Sequence, residues 1–160
     1  MIMTGYQQQI SLYSEADTQL LAKRLGQVLV TGDVVLLSGE IGAGKSFFAR
    51  AIIQSLQGIP EDVPSPTFTL VQTYITNIGE IWHADLYRLN ASSEIDELGL
   101  LEAFETAITL VEWPEFLSET APSSSLYLEF KVRQDGLKRD LTLSSKSVDW
   151  SKRLEHLDDA

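Results

Sequence analysis

A chain of 160 residues, 44% hydrophobic and 22% charged, has material for one hydrophobic core and is not the composition of a disordered or fibrous protein. Its net charge of -11, from 12 Lys plus Arg against 23 Asp plus Glu, argues against direct binding of nucleic acid or anionic lipid. The absence of cysteine excludes disulfides, thiolate nucleophiles and cysteine zinc sites.

With no basic, apolar leader in "MIMTGYQQQISLYS" and no stretch long enough to span a membrane, the expectation is a cytoplasmic protein with no membrane association. One domain is expected over 1–160, since no linker, repeat or composition shift divides the chain. Ser14 followed by Asp17 fits a capping box, and Ala16, Leu20, Leu21, Leu25, Val28 and Leu29 recur at helical spacing. A helix is therefore predicted over about residues 14–30, closed by Gly32-Asp33. Val34 to Leu37 is continuously apolar, the mark of a strand covered on both faces. A second helix follows from Lys45 to about Leu56, with Phe48, Ala49, Ile52, Ile53 and Leu56 inward.

The two prolines of "EDVPSPTFTL" rule out regular structure until about Phe68. From there a strand to Ile75, a turn at Asn77-Ile78-Gly79 and a strand from Glu80 to Asp85 are predicted. "RLNASSEIDELGLLEAFE" reads as short helices in loops, with Ser92 or Ser93 as caps and Gly99 as a break. "AITLVEW" is an apolar strand stopped by Pro114. Leu126, Leu128 and Phe130, then Leu141 and Leu143, alternate around Asp135-Gly136 as an antiparallel hairpin. A last helix is predicted over about Val148 to Leu157.

Between the first buried strand and the second helix lies Gly39-Glu40-Ile41-Gly42-Ala43-Gly44-Lys45-Ser46, a full G-x-x-x-x-G-K-S motif. Small residues let backbone N–H groups turn inward around phosphate oxygens, and the helix after Gly44 directs its positive end at them. Lys45 supplies a charge to the β- and γ-phosphates, and the Ser46 hydroxyl reaches Mg²⁺. A glycine turn with no such role does not account for a lysine at a helix start, where it opposes the helix dipole.

Two predicted strands end in acids, at Asp85 and Glu112, where ligands of a doubly wound sheet collect; both are candidates for the metal or the water. His83 shares a strand face with Asp85, which leaves a base and an orienting or structural role both open. Trp82 and Trp113 read as packing residues ahead of base-stacking ones. The loop Pro64-Ser65-Pro66-Thr67 is stiff; it is a rigid connection or a carrier of hydroxyls to a γ-phosphate.

Taken together, the phosphate loop, "SPTFTLVQTY" at 65–74, "HADLYRL" at 83–89, "EIDELGL" at 94–100 and "VEWPE" at 111–115 resemble the TsaE (YjeE) family over about residues 10–145. The resemblance implies an α/β fold: a P-loop NTPase-like three-layer sandwich with a mixed β-sheet and a C-terminal antiparallel hairpin. It implies an ATPase that supports N6-threonylcarbamoyladenosine formation at position 37 of tRNA with the partners TsaB and TsaD, meeting tRNA only through them. ATP and Mg²⁺ are the implied cofactors. Residues 39–46, with the backbone of Phe47, would hold the nucleotide: Gly39, Glu40, Ile41, Gly42, Ala43, Gly44, Lys45 and Ser46.

Ser46 and Glu112 would serve Mg²⁺, Asp85 would act near the water or the metal, and Thr67 would lie in a switch-like loop over the γ-phosphate. Phe47 departs from the family, which commonly has Thr or Ser there to touch the α-phosphate; the missing hydrogen bond is worth about 0.5–1.5 kcal/mol. The alternative is a stand-alone P-loop small-molecule kinase. It is disfavoured by the few arginines near the motifs, Arg50 and Arg88 being the ones expected there.

Overall fold

The computed structural model describes residues 5–58, 70–87, 98–133, 136 and 138–157. The strands are β1 (Tyr6–Leu12), β2 (Val34–Gly39), β3 (Val71–Thr76), β4 (Gly79–Asp85), β5 (Ile108–Glu112), β6 (Leu126–Val132) and β7 (Arg139–Ser145). The helices are α1 (Glu15–Gly26), α2 (Lys45–Leu56), α3 (Leu100–Thr106) and α4 (Asp149–Arg153), with a 3-10 helix at Pro114–Thr120.

The strands form one mixed sheet in the order β1-β7-β6-β2-β5-β4-β3. Its centre is parallel, β2 pairing with both β5 and β6 and β5 with β4, and antiparallel hairpins finish both sides. Central position explains the continuous apolar run of β2. Val35 and Leu37 join the core under α1 and α2, while Val34 and Leu36 join the core under α3 and the 3-10 helix. The result is the expected α/β sandwich, with helices on both faces of a mixed sheet.

Local chemistry sets the helix starts. Ser14 Oγ accepts the Asp17 N–H at 3.1 Å, and the Asp17 carboxylate accepts the Tyr13 N–H at 3.0 Å, one residue before the usual capping-box donor. α1 ends at Gly26, not near residue 30. The periodicity overran the helix because Leu29 and Val28, in the turn that follows, still pack on the core.

β1 is an element that alternation did not reveal. Its "YQQQISL" has three glutamines in a row, tolerated because an edge strand pairs with only one neighbour, β7. The last helix is also shorter than expected, five residues followed by turns, yet Trp150, Leu154 and Leu157 are all buried. Among the described residues no helix is long and apolar enough to cross a membrane.

Candidate nucleotide site

β2 ends at Gly39, and the chain loops back over the sheet edge to start α2 at Lys45. Gly39, Gly42 and Gly44 have φ of 141°, 84° and 109°, in the left-handed region that side chains resist. Gly39 carries a second constraint, since a Cβ there would meet the Phe130 carbonyl oxygen at 2.7 Å. The glycines of the motif therefore serve both the turn and the close passage of β6.

Lys45 is only 5% exposed. Its Nζ donates to the Gly39 carbonyl oxygen at 2.5 Å and stands 3.4 Å from the centroid of the Trp113 ring. Burial holds this lysine below its ordinary pKa range, and the charges of Glu112, Glu115 and Asp85 act against that shift. Trp113 itself sits just past β5 at φ 58°, a strained conformation for so large a residue. Its other neighbour is Tyr87, with ring centroids 4.7 Å apart.

The two strand-end acids come together. Asp85 and Glu112 are register partners across the parallel β4–β5 pair, and both are buried. Glu112 Oε1 accepts the Ser46 hydroxyl at 2.7 Å, and Glu112 Oε2 lies 2.7 Å from His83 Nε2. A carboxylate accepts, so the imidazole proton is on Nε2, and His83 orients Glu112 from within the sheet. His83 Nδ1 is buried with no hydrogen-bond partner among the described residues. Asp85 Oδ1 accepts the Tyr87 N–H at 3.0 Å.

A cavity of about 470 Å³ brings these parts together, lined by Gly42, Gly44, Lys45, Ser46, Asp85 and Glu112 among others. Ile41 and Phe47 also line it, and Glu40 is exposed beside them on the loop. Among the described residues no three His, Asp or Glu side chains group closely enough to hold a metal ion by themselves. One hydroxyl and one or two carboxylates are instead the donor set for Mg²⁺ that arrives with phosphate oxygens completing its shell. The residues fit that ion.

The family described as "Threonylcarbamoyl adenosine biosynthesis protein TsaE" matches residues 12–141. The chain belongs to the TsaE family. It is 44% identical over 138 residues to the tRNA threonylcarbamoyladenosine biosynthesis protein TsaE of Rickettsia felis, covering 85% of this chain and 81% of that one. The protein of the same name from Bacillus subtilis is 35% identical over 130 residues, covering 81% and 80%. The crystal structure of Bacillus subtilis YdiB is similar at a TM-score of 0.79 and 28% identity, covering 98% of this chain and 97% of that one.

For this TsaE chain the expected site residues Thr67 and Ser65, and Arg88, lie outside the described residues. Lys45, Ser46, Asp85 and Glu112 are brought to one cavity. Sequence reasoning missed Arg139, at the start of β7. Its Nε donates to the Ala43 carbonyl at 2.8 Å and a terminal nitrogen reaches the Gly42 carbonyl at 3.4 Å. The expectation of few arginines near the motifs is corrected by this residue, which lines the same cavity. Its inward face was readable, because it alternates with Leu141 and Leu143. Its place beside the phosphate loop was not, because nothing in the sequence sets β6 next to β2.

Proposed function

We propose that this chain is the ATP-binding and ATP-hydrolysing subunit supporting N6-threonylcarbamoyladenosine formation at position 37 of tRNA, acting with TsaB and TsaD. The observation that carries the ATPase reading is the part-buried Ser46–Glu112 bond of 2.7 Å beside Lys45, in a cavity at the end of the parallel strands. Family membership, and the names its relatives carry, support the tRNA-modification role.

The phosphate-loop N–H groups and Lys45 hold the phosphates, with Lys45 exchanging the Gly39 carbonyl for phosphate oxygens. Ser46 and Glu112 hold Mg²⁺, which when bound neutralises charge on the β- and γ-phosphates. His83 fixes the orientation of Glu112, and Asp85, its register partner, aligns the attacking water or completes the metal shell. A net charge of -11 opposes contact with bare tRNA, which fits a subunit that meets tRNA through its partners.

The test is hydrolysis of ATP and GTP by the purified protein, alone and with the TsaB–TsaD pair. Slow ATP hydrolysis alone and faster turnover with the pair is the expected result. Phosphoryl transfer to a small acceptor, with no response to TsaB–TsaD, would replace this reading by the kinase alternative.

A further inference from the structure

A loop that holds an anion must turn its N–H groups inward and its carbonyl oxygens outward, because a carbonyl facing the phosphates would repel them. The loop from Gly39 to Ser46 meets the second demand by giving its carbonyls partners. Glu40 accepts the Ala43 N–H at 3.0 Å, and Gly44 accepts the Phe48 N–H at 2.9 Å. Gly39 accepts Lys45 Nζ, the bond that a phosphate would displace. The carbonyls of Ala43 and Gly42 are met from outside the loop and its helix. Arg139 Nε donates to the first at 2.8 Å, and a terminal nitrogen of the same guanidinium reaches the second at 3.4 Å.

We propose that Arg139 is a positioning residue for the phosphates: its guanidinium bridges the Gly42 and Ala43 carbonyls and so sets the loop's N–H groups before a nucleotide arrives. This rests on the phosphate-loop reading above and names what holds the cradle in shape.

In a trans peptide the C=O and N–H point opposite ways, so fixing the Ala43 carbonyl on Arg139 turns the Gly44 N–H away from it. Gly44 is where such help matters. Glycine has the widest choice of backbone conformations, and this one is held at φ 109°. Glycine also lets Arg139 come in, because a Cβ there would stand 3.4 Å from Arg139 Nε and 3.6 Å from its Cδ. Charge adds to geometry: a cation on the Ala43 oxygen polarises that peptide and makes the Gly44 N–H a stronger donor. Phe47 lines the cavity without a hydroxyl, so backbone donors carry more of the phosphate binding.

The mounting suits a brace. Arg139 opens β7, where it is the register partner of Val132 in β6 and of Leu12 in β1. Pairing on both sides fixes its backbone, whereas residues 40–44 belong to neither helix nor strand.

The experiment measures amide hydrogen exchange of the full chain with nothing bound, then titrates it calorimetrically with Mg-ATP and with Mg-tripolyphosphate, which has the phosphates alone. Arg139→Ala should speed exchange at residues 42–46 by about tenfold and leave the strands and α1 at wild-type rates. It should weaken ATP and tripolyphosphate by the same factor, about tenfold. Arg139→Lys keeps the charge but cannot span two carbonyls, so it should weaken both ligands by about threefold. It also covers the case in which alanine unsettles the hairpin.

A loss for ATP with tripolyphosphate unchanged would assign Arg139 to the nucleoside and overturn the proposal. Unchanged exchange in Arg139→Ala would overturn it too; with equal losses of both ligands, it would mean that the guanidinium meets the phosphates directly. Wild-type affinity in Arg139→Lys would show that charge alone suffices, and would also overturn it. Failure of wild type to bind either ligand would instead remove the phosphate-loop reading itself, and this inference with it.

Discussion

Where β2 begins, Asp33 is met directly by the Arg153 guanidinium, which also donates to the Val28 carbonyl at 2.6 Å and lies 4.0 Å from the Trp150 ring. Where β2 ends, Lys45 is buried against a carbonyl oxygen and an indole face, and among the described residues it forms no ion pair with Glu112 or Asp85. At the first edge Arg153 closes on Asp33 and so fastens α4 to the start of β2. At the second, Lys45 lies within electrostatic reach of Glu112, Glu115 and Asp85. Burial lowers the pKa of Lys45 more than the nearby carboxylates raise it, so the lysine is short of negative charge. An anion that brings its own metal ion satisfies both signs at once.

The largest effect that would test this contrast is at Lys45. Lys45→Ala should weaken Mg-ATP binding by about a hundredfold, roughly 2.7 kcal/mol, while the melting temperature holds or rises as a buried charge is removed. Titration showing unchanged affinity would put the site's cation elsewhere.

Next come the acids, whose roles differ although they face one another. Glu112→Gln keeps shape but removes the charge beside Ser46, so hydrolysis should fall about tenfold to a hundredfold and the Mg²⁺ requirement should rise. Asp85→Asn should cut hydrolysis more than ATP binding. Rates measured with TsaB–TsaD across a Mg²⁺ series check both. Unchanged rates in the two variants would show the acids to be strand ends only.

The edge with the phosphate loop was the more legible of the two. Lys45, Ser46 and the loop glycines are local in sequence, and their motif needs only a strand before and a helix after it. Asp85 and Glu112 were visible as acids closing apolar strands, and a parallel sheet then brings such ends together. Arg139 and the Arg153–Asp33 pair were not visible, because each joins segments far apart in the chain: 139 with 42–43, and 153 with 33. β1 escaped for another reason, as three successive glutamines hide the alternation that an edge strand needs less. His83 was left open between base and orienting group; its bond to Glu112 supplied what alternation could not, the identity of the group across the strand pair.

A smaller effect belongs to the closed edge. Arg153→Ala removes the partner of Asp33 and should cost about 1 kcal/mol, lowering Tm by roughly 3 °C. ATP affinity should stay at the wild-type value, because the pair lies across the sheet from the loop. A loss of ATP binding in this variant, at a temperature where it is fully folded, would break the separation of the two edges.

The smallest effect concerns an ion pair on the exposed side of the hairpin that carries Arg139. Arg133 donates to both oxygens of Asp140, at 2.7–3.1 Å, and Ser11 of β1 donates to the same carboxylate at 3.1 Å. The Arg133 hydrogen bonds hold Asp140 below the ordinary aspartate pKa of 3.8. A carboxyl group with a depressed folded pKa adds stability that is present above the unfolded value and is lost as pH falls through the folded one. Asp140→Asn should therefore lower Tm slightly at neutral pH, and the gap from wild type should narrow below pH 3.8. Added salt should narrow it as well, since the pair is open to solvent. Asp140 and Arg139 point to opposite faces of β7, so ATP affinity should not change. If it falls, the exposed pair is part of what sets Arg139 against the loop, and the nucleotide edge reaches further around the hairpin than its buried contacts indicate.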